Sequence, residues 1–144
     1  MRILGVAAAA LLLATADVAL SQQPEFHVVV NAENPITRLT TEELTELFLD
    51  RSSRWPHGPA VSAVDQQAKS AIREVFTRRV MGRTVDSVVT HWKERMMRER
   101  EPPPPVKGSD SDVIEYVTKN KNAVGYVAPG TNLPPAVKQI VVAE

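Results

Sequence analysis

The spacing of apolar residues changes once between residues 60 and 81. A short run of small and β-branched residues comes first and follows a His-Gly-Pro sequence. A second set recurs at helical spacing: Ile72, Val75, Phe76 and Val80. The pattern predicts a strand over residues 60–64, a polar loop over residues 66–70 and then a helix, which together make half of an α/β unit.

Similar patterns predict the remaining elements. Strands are predicted at residues 26–30, 123–128 and 137–142, and helices are predicted to begin at Thr40, at Thr84 and at Ser109 or Ser111. The start at Thr40 has the most complete signal, because Thr40 and Glu43 are placed as a capping box. The helix predicted to begin at Thr84 presents one apolar face that we expect in the core: Val85, Val88, Val89, Trp92 and Met96.

Three features between these elements carry further expectations. Trp55 lies in a loop rich in proline and glycine, where we expect it to pack against the domain. The four prolines at residues 102–105 predict an extended, rigid connector. Gly125 interrupts a predicted strand, which indicates close approach of another group.

The first 21 residues have the pattern of a secretory leader. Met1-Arg2 is a short basic start, residues 3–16 are almost continuously apolar, and Ala19-Leu20-Ser21 offers small residues for cleavage. A retained membrane anchor is the alternative, but the apolar run is shorter than the roughly 20 residues that a spanning helix needs. We therefore expect a signal peptide at residues 1–21, a single domain at residues 22–144, and no membrane insertion after cleavage.

Composition narrows the class of protein. The chain has 17 basic and 17 acidic residues and no cysteine. Zero net charge gives no global basic field for nucleic acid. An exported chain without cysteine cannot form disulfides or carry a lipid on an N-terminal cysteine, and it fits a periplasmic location.

A candidate anion site lies where the central strand meets its helix. Ser70 is well suited as an N-cap, and the free N–H groups of a helix start, together with its dipole, favour an anion. Arg73 falls off the apolar stripe, so we expect its guanidinium to be free to lean over the same end. Ser70, Ala71, Ile72, Arg73 and Gln66 are the candidate ligand-binding residues, and an ordinary capped surface helix is the alternative.

Catalytic and metal chemistry have little support in the sequence. No nucleophile with a nearby base, no Gly-rich nucleotide loop and no cluster of metal-ligating residues appears. We expect a protein that is not an enzyme and that has neither cofactor nor metal.

The order of these motifs resembles the substrate-binding components of phosphate ABC transporters, across nearly the whole predicted domain. The resemblance is carried by short segments in order: Val28 to Asn31, Asn34-Pro35, Glu43 to Leu49, Arg54 to Gly58, Ser70 to Phe76, Trp92, the proline run and Val124 to Val127. It implies an α/β fold with a mixed sheet flanked by helices: a single three-layer-like lobe of a type II periplasmic binding protein.

The resemblance also implies where an anion would bind. Family members hold phosphate with a Ser-Gly-Thr run preceded four residues earlier by an arginine. In this chain Ser70 matches the serine, Ala71 and Ile72 replace Gly-Thr, and Gln66 replaces the arginine. These changes remove a hydroxyl donor and a bidentate cation, so the expected function is weak binding of phosphate or a related oxyanion.

Two hypotheses about function follow. The first is an exported solute-binding domain associated with ABC-type phosphate transport, with a small oxyanion and a transporter permease as partners. The alternative is a non-transport interaction module in the periplasm that keeps the fold and contacts another envelope protein.

Overall fold

The computed structural model describes residues 25–144. The predicted leader with its cleavage point after Ser21, and the first residues of the predicted domain, lie outside this range. Eight strands and four α-helices follow in chain order: β1 (His27–Asn31), β2 (Arg38–Thr40), α1 (Thr41–Leu49), β3 (Ser62–Ala63), β4 (Asp65–Gln66), α2 (Ala71–Phe76), α3 (Val85–Glu99), β5 (Val106–Lys107), α4 (Asp110–Lys119), β6 (Ala123–Val127), β7 (Val137–Gln139) and β8 (Val141–Ala143). A π-helical turn, Thr77–Met81, continues α2.

The central sheet has four strands in the order β3-β6-β1-β7. β1 is antiparallel to both neighbours, with Val29 opposite Gly125 and opposite Gln139, whereas β3 runs parallel to β6. Two short parallel pairs, β2 with β8 and β4 with β5, extend the structure at its edges. The sheet is therefore mixed, as predicted.

Helices cover both faces of this sheet because apolar side chains of β1 and β6 alternate between them. Val28, Val30 and Tyr126 face one cluster, together with apolar residues of α1, α2 and the π-helical turn. Val29 and Val127 face a second cluster with Val113, Ile114 and Val117 of α4. The predicted three-layer arrangement of an α/β lobe follows from this alternation.

Several local predictions are confirmed. Thr40 and Glu43 form both bonds of the capping box. Trp55 is 2% exposed, and its Nε1 donates to the carbonyl of Asn122 at 2.9 Å. A Cβ on Gly125 would lie 2.8 Å from methyl groups of Val64 and Val113, which accounts for glycine in the strand.

Other boundaries differ from the prediction. The strand predicted at residues 60–64 is displaced towards the helix and divided into β3 and β4, so Gln66 belongs to a strand rather than a loop. The final strand is divided at Ile140, because Ile140 N–H donates to Val28 while Val141 N–H donates to Thr37 in front of β2. Met96 was predicted in the core but is 50% exposed, because it lies in the part of α3 after Trp92, which is largely exposed.

Candidate functional site

Two helices begin at the same edge of the structure. β4 and β5 are parallel neighbours, with Asp65 opposite Val106 and Gln66 opposite Lys107. β4 is followed by α2, capped by Ser70, and β5 is followed by α4, capped by Ser109. Because parallel strands end at a common edge, the two helix starts converge there. The carboxyl ends of strands in open α/β sheets are the usual position of ligand sites.

Ser70 caps α2 as predicted. Its Oγ accepts a long hydrogen bond from the N–H of Arg73, at 3.4 Å, and its hydroxyl donates to Gln66 Oε1 at 3.3 Å. Ala71 is exposed, whereas Ile72 is half-buried and packs against the core. The first turn of a helix leaves its N–H groups without intrahelical acceptors, so the backbone of Ala71 and Ile72 is the accessible donor surface here.

Gln66 joins the two helix starts. Its side chain is buried, and Nε2 donates to Asp110 Oδ1 at 2.8 Å and to the carbonyl of Tyr126 at 2.9 Å. An amide NH₂ has two hydrogens, and both are used by these bonds. The residue that replaces the expected arginine therefore acts within the fold as a bridge from β4 to α4 and β6.

The expectation that Arg73 has a free guanidinium is wrong. The residue is 6% exposed, and Nη1 donates to the carbonyl of Gln66 at 2.8 Å. Nη2 lies 3.3 Å from Oδ2 of Asp65. The physical reason is that a buried carboxylate eight residues earlier in the chain needs a cation, and burial of a charge is tolerated only when it is paired. The Nε of Arg73 is also buried, with no hydrogen-bond partner among residues 25–144.

Asp65 and Tyr126 complete a buried polar network that the sequence interpretation missed. Asp65 accepts hydrogen bonds from the N–H of Gln66, at 3.0 Å, and from the hydroxyl of Tyr126. Burial raises the pKa of Asp65, against the opposing effects of Arg73, Tyr126 and the Gln66 N–H. Burial and the adjacent Asp65 carboxylate also raise the pKa of Tyr126. An aspartate at the end of an apolar strand was the sequence signal that could have revealed this network.

The electrostatic balance of the site is set by these contacts. The charge of Arg73 is opposed by Asp65, while Asp110 and Asp112 place two carboxylates in the first turn of α4. In the part of the chain that the structure describes, no group of three or more His, Cys, Asp or Glu side chains is arranged for a metal ion. At the start of α2 the backbone N–H groups can donate to an anion, but Arg73 does not provide the free guanidinium that the sequence predicted.

Two surface depressions in residues 25–144 are lined by residues other than Ser70. A groove of about 750 Å³ lies between the start of β1 and the end of the chain, with Phe26, Val80 and Val142 in its lining. A second depression of about 400 Å³ includes Ala68 and Arg83. Neither is lined by Ser70, Gln66 or Arg73.

Solved structures with a similar fold come from phosphate transport. An ABC-type phosphate transport receptor from Vibrio cholerae is similar over 82% of this chain, with a TM-score of 0.63 and 24% identity. A protein from Clostridium perfringens, assigned as a phosphate ABC transporter substrate-binding protein and solved with bound phosphate, is similar over 83%, with a TM-score of 0.65 and 16% identity. No family model and no curated protein sequence matches the chain.

The chain has the fold of phosphate-type substrate-binding proteins. The predicted resemblance and fold class are thereby confirmed. This chain spans 46% of the length of each of those two proteins, so it corresponds to about half of a phosphate-type binding protein. The neighbours are described as transport components rather than enzymes.

Within this binding-protein fold, the predicted site residues have separate environments. Ser70, Ala71 and Ile72 form the first turn at the common edge, while Gln66 and Arg73 lie beneath it in the buried network.

Among residues 25–144, no helix combines the length and apolar character needed to cross a bilayer.

Proposed function

We propose that this chain is an exported, periplasmic solute-binding domain associated with ABC-type phosphate transport, which binds phosphate or a related small oxyanion weakly. The site is the first turn of α2: the N–H groups of Ala71 and Ile72 and the hydroxyl of Ser70. In this proposal residues 1–21 are the leader that directs export and is then removed.

The observation that carries the proposal is the convergence of two helix starts at the carboxyl ends of β4 and β5. Helix starts present unpaired N–H groups and the positive end of the helix dipole, a combination that favours an anion. The similar fold of proteins described as phosphate receptors, one of them solved with phosphate, supports the same class of ligand.

Weak binding follows from two features. Arg73 is already paired with Asp65, so its guanidinium is not free to form a bidentate bond with an oxyanion. In a titration of this domain alone, which spans about half the length of the similar receptors, one side of a bound anion would stay in water and be screened by salt beyond about 8 Å at physiological ionic strength.

Calorimetric titration with sodium phosphate and sodium sulfate tests this function. Ser70→Ala should weaken phosphate binding by about ten-fold, because a hydrogen bond to a charged group contributes roughly 1.5–3 kcal/mol. Thr40→Ala is the matched control, since it removes the N-cap of another helix, α1, at a similar cost of about 1 kcal/mol in stability.

Equal affinity in wild type and Ser70→Ala would contradict the site. Tight binding that salt does not affect would contradict the single-lobe account. Arg73→Ala does not serve as a binding test, because its side chain is part of the buried network rather than the surface.

The interaction module remains the second candidate, and one observation favours it. The side-chain donors of Gln66 and Ser70 are already engaged within the fold. A complete absence of anion binding would favour this candidate, as would a gene neighbourhood without permease and ATPase subunits.

A further inference from the structure

The four consecutive prolines at residues 102–105 connect α3 to β5. Proline fixes its own φ near about −65° and confines the residue before it to extended conformations. Consecutive prolines therefore form a polyproline II helix, which has about three residues per turn and three edges along its length.

Burial along this segment repeats every third residue. One edge of the helix faces the domain, with Pro104 buried and with Glu101 and Lys107 half-buried on either side of it. The two other edges are exposed and pair residues three apart: Pro102 with Pro105, and Pro103 with Val106. These four exposed residues form two adjacent apolar rows, which we call the proline face.

The fold holds the proline face in a fixed position. Arg51 Nη1 donates to the carbonyl of Pro103 at 3.0 Å, and the N–H of Asp65 donates to the carbonyl of Pro105 at 2.9 Å. A segment that is ordered in advance loses little conformational entropy when a partner binds it. The proline face is therefore preorganised for recognition.

The charges around the proline face are positive in excess. Residues 93–107 carry five basic and three acidic side chains. Glu99 and Glu101 are both paired with Arg95, at 3.1 and 2.7 Å. Arg51 and Arg100 are exposed, and the ion pairs among residues 25–144 include neither of them. Complementary charge on a partner would be negative.

We propose that the proline face is a docking surface for a partner protein that presents a groove lined by aromatic side chains and bordered by acidic residues. Aromatic-lined grooves recognise polyproline II helices, because the helix is already formed and loses little entropy on binding. At a rise of about 3.1 Å per residue, residues 102–106 span about 12 Å of such a groove. This inference does not depend on anion binding at α2.

The test is a titration with three purified modules that bind polyproline II helices: an SH3 domain, a WW domain and an EVH1 domain. Each isotopically labelled module receives the unlabelled protein, and its amide chemical shifts are followed. We expect at least one module to bind, with shifts located in its aromatic groove. Combining Pro102→Ala with Pro105→Ala should weaken that binding about ten-fold, because it removes one of the two exposed edges.

Three further variants define the surface. Pro135→Ala is the matched control, since it removes an exposed proline outside the segment and should leave binding unchanged. Arg100→Gly removes a charge while keeping the left-handed backbone at the end of α3, where φ is 55°. It should weaken binding about two-fold and reduce its salt dependence. Val106→Glu keeps all four prolines and should also weaken binding, because it places a negative charge against an acidic border.

Absence of binding to all three modules overturns the inference. Binding that the double proline variant and Val106→Glu leave unchanged also overturns it, as does equal weakening by Pro135→Ala. Sedimentation of the protein alone tests the other occupant: a dimer that Val106→Glu abolishes would assign the face to a second copy and overturn the aromatic-groove partner. Far-ultraviolet circular dichroism checks that each variant is folded, and Val106→Glu decides the outcome if the double proline variant is not.

Discussion

Removal of the Arg73 side chain should destabilise the domain strongly. Arg73→Ala leaves the Asp65 carboxylate, 4% exposed, without its cation, and leaves the Gln66 carbonyl without its donor. Breaking a buried ion pair by removal of one partner costs about 3–5 kcal/mol. A domain has about 5–15 kcal/mol of free energy of unfolding in total, so the expected loss is a large fraction of it.

Urea unfolding followed by tryptophan fluorescence measures this loss, because Trp55 and Trp92 are both buried. Arg78→Ala is the matched control on the same helical segment. Arg78 is 57% exposed and lies 3.9 Å from Glu74, so its removal should cost less than about 1 kcal/mol.

A double variant separates the ion pair from general damage to the core. Asp65→Leu combined with Arg73→Met replaces both charges by apolar groups and should recover most of the stability lost in Arg73→Ala. If Arg73→Ala unfolds at the same urea concentration as Arg78→Ala, the buried pair does not stabilise the fold and the argument is refuted.

Two further predictions concern packing and pH. Gly125→Ala should cost about 1–3 kcal/mol, because the added Cβ would lie 2.8 Å from methyl groups of Val64 and Val113; an unchanged urea midpoint would contradict this. Hydrogen bonds from Ser52, with a contribution from the charge of Arg95, lower the pKa of Asp50 from its ordinary 3.8. A lowered folded-state pKa gives stability that is present above pH 3.8 and is lost as pH falls through the folded value, so wild type should lose more thermal stability on acidification than Asp50→Asn. If the melting temperatures of the two proteins fall by the same amount as the pH is lowered, Asp50 makes no such contribution.

Local signals in the sequence predicted those parts of the fold that depend on neighbouring residues. The capping box that specifies the start of α1 lies within four consecutive residues, from Thr40 to Glu43, and both of its hydrogen bonds are present. Gly125 was predicted to mark close approach from the absence of a side chain in an apolar strand, and the methyl groups of α4 and of Val64 lie there.

Contacts between distant segments were not predictable in this way. Arg73 lies off the apolar stripe of its helix, which on sequence grounds places it at the surface. Its burial depends on Asp65 and Tyr126, and the latter comes from a strand more than fifty residues away. The pairing of β2 with β8 likewise joins the two ends of the domain, and the three residues of β2 have no periodic pattern of their own.

The position of Asp110 shows why the candidate site was only partly predicted. Ser70 could be assigned from its own cap pattern, which the structure confirms. The partner of Gln66 could not, because it depends on β4 and β5 being parallel neighbours that bring two helix starts together. Sequence spacing therefore located the turn but gave no information on the charges around it.

The most direct test of the central claim is a titration of the isotopically labelled protein with sodium phosphate, followed by amide chemical shifts, with sodium chloride of equal ionic strength as the reference. The account predicts that the amide resonances of Ala71, Ile72 and Arg73 shift progressively without saturating at low phosphate concentration, and that added salt reduces the shifts. Shifts confined to another surface, or none beyond those caused by chloride, would contradict binding of an oxyanion at the start of α2.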